Sequence, residues 1–161
     1  MKTAAARGIL LHVWDRKELE NYLLAPKAIT RAIAAELDDA RQAPGESVVL
    51  EKLDEITRGL RVATMDAIAT EVLARDKTAG LAAANRAARE RLAKAWKTLS
   101  GRIGLVSGKA ILKELFAWSQ TQYKVSLSVK KVARQLKRGD IPEEMIAIIS
   151  AIEKGDDFES G

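Results

Sequence analysis

Apolar side chains recur every three or four positions along most of this 161-residue chain, and that spacing constrains the fold more than any other feature. A repeat near 3.6 lines such positions along one face of a helix, whereas a half-buried strand needs a period of two. Leu19, Tyr22 and Leu23 carry the helical spacing, and so do Ile29, Ile33 and Leu37 after Pro26. Val49, Leu53, Ile56, Leu60, Ala63 and Ala67 hold it longest, which predicts one helix from about Glu46 to Lys77, bent near Gly59. Leu92, Trp96 and Leu99 extend the pattern in a helix over 83–99. The stretch 100–107 is punctuated by glycine and reads as a loop. Helices are then predicted over 109–123 and 128–138, the second ended by Gly139 as a left-handed C′ residue. Pro142 sits in the first turn of a final helix with Met145, Ile146, Ile149 and Ile152 on its expected buried face.

One run breaks the pattern. Ile9-Leu10-Leu11-His12-Val13-Trp14 is continuously apolar, as in a strand buried on both faces. Asp15 stands where it can cap the next helix, with Glu18 three residues on as its capping-box partner. A strand needs partners for its backbone groups, and no later segment offers one. The expectation is therefore a mostly α chain of about six to seven helices, with one N-terminal strand left over from an α/β core that lies upstream. His12, inside the apolar run and without other ligand types nearby, reads as a structural residue rather than a zinc ligand.

Hydrophobic residues make up 47% of the chain and charged residues 30%, which suits one folded domain rather than a disordered chain. Cysteine is absent, so disulfides and thiolate metal sites are excluded and a cytoplasmic location is expected. No apolar run approaches the ~20 residues of a membrane span, so no membrane partner is expected. Charge is unevenly placed. Residues 81–139 carry 14 basic side chains against only Glu90 and Glu114, while residues 140–161 hold Lys154 against seven acids. Arg86, Arg91, Lys94 and Lys97 fall opposite the Leu92–Trp96–Leu99 face; Lys130, Lys131, Arg134, Lys137 and Arg138 oppose Val129, Val132 and Leu136. Such faces suit DNA as a polyanionic partner, or are simply solvated helix faces. A helix-turn-helix reader over 128–153 is rejected, because the second helix would begin Pro-Glu-Glu, which phosphate repels.

"DRKELENYLLAP", residues 15–26, resembles the segment that follows a late strand in the Toprim domain of overcoming-lysogenisation-defect (OLD) type ATP-dependent endonucleases. Similar segments occur in related AAA-type ATPases of phage defence. "GKAILKELFAW" and "VARQLKRGDIPEEMIAIISAI" are similar to helices of that family's C-terminal region. The resemblance implies three parts: a terminal strand and motif helix of a Toprim-like domain over 1–26, a helical domain over 27–153, and a flexible acidic tail over 154–161. It also implies an upstream ATPase/Toprim portion as partner and metal-dependent phosphodiester cleavage with Mg or Mn. Glu20, with Glu18 as the lesser candidate, would be the metal-site acid, Lys109 a phosphate-facing catalytic residue, and Arg16 a nucleic-acid contact. Arg86, Lys94, Lys97, Lys130 and Arg134 are the further nucleic-acid-binding candidates. The plain reading of the same residues stays open: Glu18 completes a cap, Glu20 lies on a solvated face, Lys109 is a surface lysine, and Asn21 and Tyr22 hold the turn and the core. No GxxxxGK[ST] loop is present, nor the family's early glutamate and Asp-x-Asp pair. One or two carboxylates do not build a two-metal site, so the chain by itself is expected to be catalytically silent.

Overall fold

The computed structural model describes residues 16–38 and 42–154. The predicted strand over 9–14 and its Asp15 cap, like the tail beyond Lys154, lie outside them. Among the described residues the protein is mostly helical and contains no strand. A short 3-10 turn, Leu19–Leu23, leads into α1 (Pro26–Ala34). There follow α2 (Glu46–Gly59), α3 (Arg61–Arg75), α4 (Leu81–Ala95), α5 (Leu99–Leu105), α6 (Gly108–Tyr123), α7 (Val129–Arg134), a second 3-10 turn (Arg138–Asp140) and α8 (Glu143–Lys154). None of these helices is long and apolar enough to cross a membrane.

Two apolar clusters hold the helices. In the larger, Ile29 and Ile33 of α1 meet Val49 and Leu53 of α2, Ile111 and Leu115 of α6, and Val132 of α7. In the smaller, Ile68 and Ala69 of α3 pack on Ala84, Ala88 and Leu92 of α4. Trp96 packs against both.

Five expectations need correction. The helix over 83–99 runs from Leu81 to Ala95, and Leu99 begins the next helix instead of closing this one. The helix over 46–77 is two helices, broken at Leu60, whose ψ of 9° departs from helical geometry. Past the break the buried positions are Thr64, Ile68 and Ala69 instead of Ala63 and Ala67, both exposed, because α3 leaves the large core to pair with α4. The predicted loop over 100–107 contains a helix, α5, capped by the Thr98 hydroxyl on the Gly101 N–H at 3.0 Å. Of its two glycines, Gly101 is there for space. A Cβ on Gly101 would stand 2.4 Å from the Ala95 carbonyl oxygen, so only glycine lets α5 fold back on the end of α4.

Gly139 does not terminate α7. That helix stops at Arg134, with Gln135 as its C-cap, and Gly139 lies within the following 3-10 turn. The left-handed cap belongs to Lys124 (φ 59°), which ends α6. On α8 the buried residue is Ile148, while Ile149 and Ile152 are 44% and 70% exposed.

Candidate functional site

The segment quoted above for its resemblance folds into a clamp between two helices. Its hub is Asn21, fully buried. The Asn21 amide donates to the carbonyls of Ile103 (2.6 Å) and Val106 (2.9 Å), satisfying the end of α5, and its Oδ1 accepts the Glu18 N–H at 2.9 Å. Glu18 turns the other way. Its carboxylate accepts the Lys109 N–H (3.1 Å) and the Ser107 hydroxyl (3.2 Å), so it sits on the N-terminus of α6, where the helix dipole favours an anion. Glu20 reaches the Lys109 ammonium at 3.8 Å. The contact is close enough to demand glycine at 108: a Cβ there would lie 2.7 Å from the Asn21 nitrogen.

Glu18, Glu20 and Lys109, some 90 residues apart in the chain, thus meet in space. What they form is a capped helix start with an ion pair. Glu18 does act in a cap, but chiefly that of α6. Glu18 and Glu20 do not by themselves compose a magnesium or manganese site, and no group of three or more His, Cys, Asp or Glu side chains gathers for one among the described residues.

Arg16 lies on the other side of the clamp. One of its guanidinium nitrogens donates to the Asn21 carbonyl, and the group rests 4.9 Å from the centroid of the Tyr22 ring. The Tyr22 hydroxyl donates in turn to Glu144 on α8. Burial lowers the Arg16 pKa, against the opposing fields of Tyr22 and Glu144. The Tyr22 hydroxyl is pushed up to about 12, first by burial and then by its bond to Glu144.

The basic candidates divide by helix. On α4, Arg86, Arg89 and Lys94 are exposed, as is Lys97 just beyond its end, and none pairs with a carboxylate among the described residues. Arg91 reaches Glu71 at 3.5 Å, an acid that also holds Arg75 at 2.8 Å. On α7, Lys130 and Arg134 are exposed, but Lys131 pairs with Glu36 at 2.6 Å. The two faces belong to different clusters, α4 to the smaller and α7 to the larger.

Arg102 is part of the same basic block yet faces inward. It is 2% exposed, bound to Asp54, the Thr57 hydroxyl (3.2 Å) and the Trp96 carbonyl (2.9 Å). The signal was present in the spacing, because Leu99, Ile103 and Val106 place residue 102 on their own side of a helix. A comparison with known protein families, curated proteins and solved structures finds no match to this chain.

Proposed function

We propose that this chain is a helical module that holds DNA, or another nucleic acid, by its phosphate backbone, with α4 as the principal contact. One observation carries the reading. Arg86, Arg89, Lys94 and Lys97 stand in solvent away from the buried Ala84–Ala88–Leu92 line, with Glu90 as the one acid of α4 and no ion pair among the described residues. Three of them lie along α4 and Lys97 just past its end, a spacing that suits contacts to phosphates. A cytoplasmic site of action belongs to the same proposal, in keeping with the absence of cysteine.

Binding of this kind is sequence-tolerant and steeply salt-dependent, because each neutralised phosphate releases counterions. Fluorescence anisotropy with duplexes of unrelated sequence, titrated at several salt concentrations, reads the slope. Replacing Arg86, Lys94 and Lys97 with Ala should flatten it by up to ~3 units, at about 0.9 per contact on duplex DNA. The fold should survive, since all three are exposed. An unchanged slope would mean that this face is only solvated.

A second reading is that the chain is the C-terminal part of an OLD-like ATPase–nuclease, working with an upstream ATPase/Toprim portion. The meeting of Glu18 and Glu20 with the Ser107–Lys109 turn favours it, since the two segments that carry the resemblance are then in contact. On this reading the chain alone hydrolyses neither ATP nor DNA with magnesium or manganese. Robust cleavage that vanishes both in EDTA and in Glu20→Ala would overturn that.

A further inference from the structure

Where α1, α2 and α5 begin, they enclose a cleft of about 380 Å³ beside the clamp. That volume suits one small molecule rather than a polymer segment, since ligand pockets commonly span ~300–1,000 Å³. Its walls are mostly apolar, with Leu24, Leu50, Leu99 and Ile103 among them, and Arg16, Lys27 and Ser100 supply polar groups.

Two cations, Arg16 and Lys27, and two carboxylates, Glu46 and Asp140, line this cleft. Asp140 lines it but is turned to Arg31 and to the Lys137 N–H (2.8 Å), and it also feels the charge of Lys27. Glu46 stands exposed at the start of α2. Glu144, whose field reaches Arg16, holds the Tyr22 hydroxyl. Arg16 itself spends one side-chain N–H on the Asn21 carbonyl and has no ion pair among the described residues. The guanidinium also rests on the Tyr22 ring and keeps four N–H donors for solvent or a ligand, while its half-burial carries a desolvation cost. The depressed Arg16 pKa has burial as its main cause, in keeping with that cost. A desolvated arginine in a small apolar cleft is an arrangement that an anion with an apolar body would complete.

We propose that this cleft binds a small organic anion, a carboxylate or phosphate monoester on one compact ring or chain, with its charged end at Arg16 and Lys27 and its body against Leu50, Leu99 and Ile103. The inference stands apart from the nucleic-acid reading, which concerns α4. The walls leave room for one charged group and its apolar substituent, so the discriminating feature is the pairing of charge with bulk.

Benzoate and phenyl phosphate serve as probes on the whole chain, with benzyl alcohol as the neutral control, followed by amide chemical shifts and calorimetry. Saturable binding is expected, with shifts at Lys27, Leu50, Ser100 and Ile103 and with benzyl alcohol weaker by about tenfold or more. Arg16→Gln and Lys27→Ala should each weaken the anions by about tenfold and leave the neutral control unchanged. Leu50→Trp, at a half-exposed wall, should block all three probes. Should Arg16→Gln fail to fold, Lys27→Ala decides, because Lys27 is exposed. Shifts that never saturate, benzyl alcohol binding as well as benzoate, or an anion affinity indifferent to Lys27→Ala in a folded chain would each overturn the proposal.

Discussion

A methyl group added at Gly108 would lie 2.7 Å from the Asn21 nitrogen and 2.9 Å from both the Asn21 Oδ1 and the Glu20 carbonyl carbon. Two of those neighbours are backbone atoms, and the third is an amide oxygen already bound to the Glu18 N–H. None can retreat without breaking the clamp. Gly108→Ala should therefore cost about 1–3 kcal/mol, in the manner of an overpacked core. Gly104, four residues earlier, has nothing within 4 Å of the same added group. There Ala removes unfolded-state freedom and should stabilise by about 0.5 kcal/mol. Urea unfolding of the two variants checks the opposite signs, and equal effects would remove the steric account of the clamp. Tyr22 gives a pH signature at the same site. Burial and its bond to Glu144 favour the neutral phenol, so the folded state holds this proton more tightly than the unfolded chain does. The corresponding stability is fully present below about pH 10 and is lost as pH rises towards about 12. Comparing wild type with Tyr22→Phe across that window isolates the loss, because the variant lacks the titrating group. Identical slopes for the two proteins would show that Tyr22 is not held as described.

At the scale of elements, the apolar period made most helices legible and misread those whose limits are set by distant neighbours. Ile29 and Ile33, Val49 and Leu53, and Ile111 and Leu115 are all buried as their spacing implies. The sequence marks the break at Leu60 only as a bend near Gly59, because the seam runs through it by a shift of one residue, from Ala63 to Thr64. Alpha5 was missed because Gly101 and Gly104 look like loop residues, whereas Gly101 is there for its close approach to Ala95. Propensity counts such a glycine against a helix, and only the tertiary contact explains it. At the site, Glu18, Glu20, Asn21 and Lys109 were all singled out from the sequence, but their meeting was not, since local spacing carries no record of a contact across 90 residues. Arg102 shows the converse. Counted with the basic block, it is instead the tie that binds α5 to Asp54 and Thr57 of α2. The charge available to a polyanion is accordingly smaller than the sequence total, and its unpaired part is shared between α4 with Lys97 and the α7 face with Lys137 and Arg138.

The molecule as a whole has two cores of unequal strength, and its order of unfolding should follow from them. The larger is built mainly from Ile, Leu and Val on α1, α2, α6 and α7. The smaller, between α3 and α4, contains two alanines of α4, Ala84 and Ala88, and one of α3, Ala69. Alanine brings the two backbones close but buries little apolar area, and burial stabilises at about 25 cal/mol per Å². Leu81 and Val62 on these same helices are each 65% exposed and add nothing to that core. The α3–α4 hairpin is thus the part whose opening forfeits least. It is joined to the rest by the break at Leu60, by Trp96, which packs on both clusters, and by α5, held through Arg102. Native-state hydrogen exchange should show this as a sub-global opening in which amides of 61–95 exchange at lower denaturant than those of α1, α2 and α6. Trp96→Ala removes the side chain shared by the two cores. It should widen the gap by weakening the hairpin more than the main core, with an overall cost of about 2 kcal/mol for a partly buried aromatic. The same variant tests what α4 needs in order to bind. If its basic row acts as a rigid helical array, a loosened hairpin should weaken nucleic-acid affinity without changing any charge; if the charges act singly, affinity and salt slope should both persist. Uniform exchange across 16–38 and 42–154, unaffected by Trp96→Ala, would show one cooperative core and sink the two-core account.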